Sequence, residues 1–206
     1  EREFGEWLGA PDCSAVSSGT AGLHLAVRAC NIKPGDEVIT SPLSFIAGSN
    51  VIVYEGATPV FADIDPVTLN LAPAKAYEAV TEKTTGLLPV HLFGYPANMT
   101  AFEAMATECG LWIVEDACEA VGAVHADGRR AGARGHYAVY GFYPNKQIAT
   151  GEGGMVACPS SEAKAIIDSE RNQGRAPDMG WLDHENLGYN YRLSDVAAAS
   201  GVAQIE

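Results

Sequence analysis

Apolar residues recur along this chain with two alternating rhythms. Over 20–30, Leu23, Ala26, Val27 and Cys30 share one helical face, and over 98–109 so do Phe102, Met105, Ala106 and Cys109. Both stretches are predicted to be helices whose apolar face looks into a core. Around them lie apolar runs too brief for helices, at 37–41, 58–63, 85–91 and 111–116, each followed by turn chemistry or a helical stretch. Pro34-Gly35-Asp36 and Asp63-Ile64-Asp65-Pro66 supply two of the turns. Strands alternating with helices predict βαβ units and an α/β fold: a largely parallel sheet covered by helices on both faces. After residue 136 the texture changes. Segments 137–142 and 153–158 are β-rich and flank a loop holding Pro144, Asn145 and Lys146. A helix is expected at about 160–173, then a Gly- and Asn-containing connection, then an Ala-rich helix from Ser194 to Glu206 with Asp195 in its first turn.

Length and composition narrow the classes. The 206 residues suit one domain with a sizeable core, and 47% hydrophobic against 19% charged residues excludes a disordered chain. Lys and Arg number 13 against 26 Asp and Glu, for a formal charge of −13, which repels nucleic acid and anionic lipid. Arg129, Arg130 and Arg134 form the nearest thing to a basic patch and read as a solvated turn. Cys13, Cys30, Cys109, Cys118 and Cys158 show no paired spacing, so no zinc knuckle or redox dithiol is expected; dispersed thiols suit a reducing, cytoplasmic location. No apolar run is long enough to span a bilayer, and the acidic N-terminus does not resemble a signal peptide.

In an open α/β sheet ligands gather at the carboxyl ends of the strands, which directs attention to four places. Ser17-Ser-Gly-Thr-Ala21 precedes an amphipathic helix: it is either an ordinary N-cap or a phosphate site built from free amides at the helix start. Glu115-Asp116 ends an apolar strand, and Asp116 either caps the next segment as a helix N-cap or pairs with a protonated ring nitrogen. Lys146, in Phe142-Tyr-Pro-Asn-Lys146 and followed by Gly151-Glu-Gly-Gly154, is either a surface lysine or a desolvated amine available for Schiff-base chemistry. Leu187-Gly-Tyr-Asn-Tyr-Arg192 clusters aromatic and amide groups before the last helix, as a packing corner or a contact across a subunit boundary.

Taken in order, these segments, together with Pro34-Gly-Asp-Glu-Val38, Pro59-Val-Phe-Ala-Asp-Ile-Asp65 and Pro89-Val-His-Leu-Phe-Gly94, resemble the DegT/DnrJ/EryC1/StrS sugar aminotransferases of fold type I over almost the whole chain. The resemblance implies a three-layer α/β/α large domain over 1–206 that binds pyridoxal 5′-phosphate, with a C-terminal small domain not included in this chain. It implies that Lys146 carries the cofactor as a Schiff base and shuttles a proton, and that Asp116 pairs with the pyridine nitrogen. Phe45 would stack on the ring; Gly19, Thr20 and Ala21 would offer amides to the phosphate. Asn190 would reach the phosphate of a neighbouring subunit's cofactor, which implies a homodimer with shared sites. Lysine at 146 also separates the chain from a branch that carries histidine there and dehydrates its substrate.

Two positions depart from the commoner pattern. Glu119 stands where Gln or His is frequent, on the ring-oxygen side of the cofactor, and a carboxylate cannot donate there unless protonated. Gly141 stands where many members place a phosphate-binding Ser. The implied activity is transfer of an amino group, from a donor such as glutamate, to a keto group of a nucleotide-linked sugar, with Arg192 and the Arg129/Arg130 turn as possible contacts for the nucleotide. The alternative is a non-catalytic homologue that holds pyridoxal phosphate or a sugar as sensor or scaffold.

Overall fold

A computed structural model describes residues 1–10, 12–176 and 183–205. Its elements run α1 (Arg2–Leu8), β1 (Cys13–Val16), α2 (Gly19–Ala29), β2 (Glu37–Thr40), α3 (Ala47–Tyr54), β3 (Thr58–Phe61), α4 (Pro73–Glu78), β4 (Thr84–Leu88), α5 (Met99–Cys109), β5 (Trp112–Asp116), β6 (Tyr137–Gly141), β7 (Gly154–Ala157), α6 (Ser161–Arg171) and α7 (Asp195–Ile205). The strands form one seven-stranded sheet in the order β1-β7-β6-β5-β4-β2-β3. All are parallel except β7, which runs antiparallel to both neighbours.

That exception has a local cause. The parallel strands from β2 to β5 are joined by crossovers, whereas β6 returns into β7 through a loop with no helix, which permits an antiparallel pair. The loop closes on itself through Phe142 N donating to Gly153 O at 2.8 Å and Thr150 N to Phe142 O at 2.9 Å. Lys146 sits on this return.

Alternation along the strands feeds two helical layers. Val38, Leu88, Val114, Val139 and Val156 join the core beneath α2, α3 and α6. Their neighbours Ile39, Leu87 and Ile113 face α4 and α5, while Ala138, Tyr140 and Met155 face α1. Each fully buried Leu or Ile contributes about 1.5–3 kcal/mol. The sheet is therefore sandwiched in the three-layer arrangement anticipated from the alternating pattern.

Helix α2 departs from a one-sided amphipathic helix. Leu23, Ala26 and Val27 are buried as expected, but so are His24 and Leu25, because α2 is enclosed between the sheet, α3 and α6. Helix α5 buries Phe102, Met105 and Ala106, with Cys109 only partly covered. Ser160 caps α6, and Ser194 Oγ accepts from Ala197 N at the start of α7, as the Ser–Asp signal suggested. Glu206, the expected last residue of α7, and part of the 174–193 connection lie outside the described residues. Gly35 takes φ +92° in the Pro34-Gly35-Asp36 turn, and Asp65 Oδ1 accepts from Val67 and Thr68 amides in the other.

Of the three arginines expected in a solvated turn, Arg129 is exposed as anticipated, but Arg130 and Arg134 are not. Arg134 is almost fully buried and pairs with Glu103 and Asp127, and Arg130 lies 4.3 Å from the Trp7 ring centroid while donating to Trp7 O. All five cysteines are free thiols, and no helix among the described residues is long and apolar enough to cross a membrane.

Candidate active site

The carboxyl ends of β1, β2, β4, β5 and β6 converge on a cavity of about 460 Å³. Gly19, Thr20, Phe45, Asp116, Glu119 and Lys146 line it; Ala21 and Asn190 do not. Two larger clefts, of about 540 and 650 Å³, lie elsewhere, and neither holds the lysine with its carboxylates.

One end of the cavity is the start of α2. Ser18 caps the helix, its Oγ accepting the Ala21 amide at 3.0 Å. Ala21 is thus already engaged, and the first-turn amides of Gly19 and Thr20 are the ones left at the positive end of the helix dipole. The helix start comes close to the sheet. A Cβ on Gly19 would stand 2.9 Å from Cys118 Sγ, and one on Gly154 would stand 2.9 Å from Gly19 N. Gly141 belongs to the same close approach: a Cβ there would meet Cys118 Sγ at 3.3 Å. The space a serine would need at 141 is therefore bordered by the Cys118 thiol. Burial, with Asp116 adjacent, pushes that thiol well above its ordinary pKa, so it remains S–H.

The floor is the end of β5. Strand alternation sends Glu115 and Asp116 to opposite faces. Asp116, 5% exposed, accepts the Cys118 amide at 3.1 Å and caps a turn rather than a helix. Burial raises its pKa; Cys118, His91 and Lys146 oppose the rise only in part. A cation placed against it would reverse the balance.

Glu115, which the residue pattern did not single out beyond its place at the strand end, is a structural acceptor on the opposite face. It takes His91 Nε2–H at 2.9 Å, Gly132 N at 3.1 Å, Arg134 N at 2.7 Å and the Gly135 amide. Burial alone would raise its pKa, but His91 and the backbone donors hold it below the ordinary carboxylate value. His91, Glu115 and His125 lie close enough together to suggest a cation site. The hydrogen bonds argue otherwise. His91 Nδ1 accepts the Ala97 amide at 2.9 Å, which puts the ring proton on Nε2 facing Glu115 and leaves His91 no free lone pair.

Lys146 is partly buried rather than a free surface lysine, and its amine is paired with a carboxylate. Its side chain is 18% exposed, and Nζ donates to Glu119 Oε1 at 3.3 Å. Glu119 Oε2 accepts the Phe93 amide at 2.9 Å, and its backbone carbonyl takes Gln147 Nε2 at 2.6 Å. Both Glu119 oxygens act as acceptors, so the carboxylate bridges the lysine loop to the loop after β4. There Phe93 adopts φ +54°, in the left-handed region unfavourable for a bulky residue. At the rim, Phe45 is 75% exposed and Tyr143 is also exposed, and Phe93, next to the lining residue Leu92, is 74% exposed.

The remaining expectations fall outside the cavity. Asn190 is exposed on the 189–192 segment. Arg192 donates to Asn172 at 2.9 Å, Arg129 pairs with Asp127, and neither lines the cavity.

Comparison with known proteins places this geometry. The sequence pattern of the DegT/DnrJ/EryC1/StrS aminotransferase family matches residues 1–206. GDP-perosamine synthase of Caulobacter vibrioides is 40% identical over 206 residues, 100% of this chain and 55% of that protein. UDP-N-acetyl-3-dehydro-alpha-D-glucosamine 3-aminotransferase of Acidithiobacillus ferrooxidans is 40% identical over 185 residues, covering 88% of this chain and 48% of that one. The crystal structure of NtdA from Bacillus subtilis with bound cofactor PMP superposes with a TM-score of 0.91 at 28% identity, covering 98% of this chain and 46% of that one. This chain thus spans about half the length of the relatives it matches. With its mostly parallel sheet, its lysine on the β6–β7 return and its pattern matched end to end, the chain belongs to the DegT/DnrJ/EryC1/StrS aminotransferase family.

Proposed function

We propose that residues 1–206 form the cofactor-binding domain of a pyridoxal-phosphate aminotransferase that delivers an amino group to a keto group of a nucleotide-linked sugar. The observation that carries the reading is that Lys146 and Asp116 line one cavity whose far wall is the amide-bearing start of α2. These residues fit the cofactor's three distinct groups. The Gly19 and Thr20 amides suit a phosphate, joined by Ala21 if Ser18 releases it. Asp116, a buried carboxylate with a raised pKa, suits a protonated ring nitrogen. The Lys146 amine suits an aldehyde carbon, and the exposed Phe45 ring suits a planar heterocycle.

When bound, pyridoxal phosphate supplies the electron sink for the carbon that loses its proton. The chain's own residues do the rest. Asp116 would hold the proton on the pyridine nitrogen. Lys146 Nζ, oriented by Glu119 Oε1, would take the proton from the substrate carbon and hold it for return. Glu119 acts as an acceptor and does not supply the donor that Gln or His would give the ring oxygen. The names of the two relatives, a GDP-sugar synthase and an aminotransferase of a 3-dehydro UDP-sugar, support the substrate class. Glutamate is the proposed donor. Asn190, exposed and outside its own cavity, serves the site of a second copy in a homodimer. Five free thiols suit a cytoplasmic protein.

The test is spectroscopic. Pyridoxal phosphate added to the protein is expected to give a visible absorbance band that is lost in Lys146→Ala and bleaches when glutamate is added. A band that does not bleach with any amino donor would favour the non-catalytic homologue, and no band at all would overturn both readings. In Lys146→Ala amino transfer is expected to fall by at least about 1,000-fold.

A further inference from the structure

His24 is a polar side chain in the middle of α2, only 4% exposed, and the proposed amino-transfer chemistry does not use it. Its Nε2 lies 2.7 Å from Glu55 Oε1 and its Nδ1 lies 3.1 Å from the Tyr191 hydroxyl. A carboxylate only accepts, so Nε2 carries a proton, and in that tautomer Nδ1 accepts the Tyr191 O–H. Burial raises the pKa of the Tyr191 hydroxyl, which remains a donor. Arg28 anchors the far end, donating to both Glu55 oxygens at 3.1 Å and to Glu170 at 2.8 Å.

What this chain of hydrogen bonds holds is the segment 189–192. Its backbone is tied on both sides: Tyr191 N donates to Arg171 O at 2.9 Å, and Tyr191 O accepts from Ser17 N at 2.8 Å. Tyr189 and Tyr191 stack with centroids 4.9 Å apart and planes 10° apart, and both rings lie against His24. In an extended segment successive side chains alternate, so two tyrosines turned inward set Asn190 outward. Asn190 is exposed, and its side chain has no hydrogen-bond partner among the described residues.

We propose that Glu55, His24 and Tyr191 form a positioning relay that fixes Asn190 for the neighbouring subunit's cofactor site, so that His24 acts on the partner's site rather than on its own. The proposal rests on the homodimer reading of the proposed function. Helix α2 then has two duties: its first turn serves the chain's own cavity, and its buried middle sets a residue for the other. A group aimed across a subunit boundary needs such support, because a small rotation of its carrier removes the contact.

Hybrid dimers separate action in trans from action in cis. Asn190→Ala is measured first; unchanged affinity for pyridoxal phosphate there would end the shared-site reading itself, independently of His24. His24→Phe keeps the ring packing and removes the relay, and in the homodimer it is expected to raise the Kd for pyridoxal phosphate about five- to tenfold. Tyr191→Phe removes only the hydroxyl and is expected to raise it about threefold; it replaces His24→Phe throughout if that variant does not fold. The decisive hybrid pairs a Lys146→Ala protomer with a His24→Phe protomer, and its visible band reports only the site that keeps Lys146. That site lies in the His24→Phe protomer but receives Asn190 from a protomer whose relay is intact, so its Kd is expected to return to the wild-type value. A hybrid as weak as the His24→Phe homodimer would place His24 in cis and overturn the proposal. An unchanged Kd in that homodimer would overturn it too.

Discussion

Beneath the cavity, Glu115 accepts from His91 and from the amides of Gly132, Arg134 and Gly135 with no exposure to solvent. At the rim, Phe45, Phe93 and Tyr143 present rings more than half exposed, and Phe93 holds a left-handed backbone. Glu115 and His91 find their partners within the chain, so the geometry of this pair is set when the chain folds. The rim leaves apolar surface in water that its own chain does not cover, which is how a surface shaped for a ligand or a second subunit behaves. Asp116 stands between the two: buried like the base, yet carrying a charge that only Cys118, His91 and Lys146 partly offset.

The contrast is sharpest in stability. Glu115→Ala should strand His91 and the buried amides and lower unfolding free energy by about 3 kcal/mol or more, measured by urea denaturation. A loss below about 1 kcal/mol would mean that the 131–135 loop finds other acceptors and that the base is not self-contained. Because the folded pKa of Glu115 is depressed, its contribution is fully present above the unfolded value of about 4.3 and is lost as pH falls through the lower folded value. In Glu115→Gln, stability should fall less steeply over that acid range.

Asp116 has the opposite sign. Its folded pKa is raised, so the cofactor-free protein loses stability as pH climbs from the unfolded value of about 3.9 through the folded one, and at neutral pH the ionised carboxylate is a burden. Asp116→Asn still accepts the Cys118 amide and should raise the melting temperature of the cofactor-free protein by about 2 °C while weakening pyridoxal phosphate binding. A lowered melting temperature would make Asp116 part of the self-contained base. Smallest in stability is Phe45→Ala at the rim, expected to stay within about 0.5 kcal/mol of wild type by denaturation. It should still raise the Kd for pyridoxal phosphate about tenfold, measured by titrating the absorbance band.

Much of this was legible before the fold was known. Periodicity marked α2 and α5, short apolar runs marked β2, β3, β4 and β5, and the change of texture after 136 isolated the lysine loop. The strand β1 was not marked, because Cys13–Val16 is short and takes its place only by pairing with β7 and with Arg192. The short helices α1, α3 and α4 lacked a period long enough to distinguish them from turns. At the site, strand ends offered Asp116 and a glycine-flanked loop offered Lys146 only as one of two readings each, and the family resemblance gave them their roles. Neither could reveal that Ser18 takes the Ala21 amide, that Glu119 spans Lys146 and Phe93, or that Arg130 and Arg134 are structural.

The sequence by itself determined the class of fold and the order of most of its elements, and through the family resemblance it offered candidate residues for a phosphate, a ring nitrogen and an aldehyde. The elements come from spacings within one helix, strand or turn, where neighbours in the chain are neighbours in space. Only the tertiary structure decided which donors and acceptors are already taken and which remain for a partner. His24 meets Tyr191 across 167 positions and Lys146 meets Glu119 across 27, and no local pattern encodes bonds over such separations.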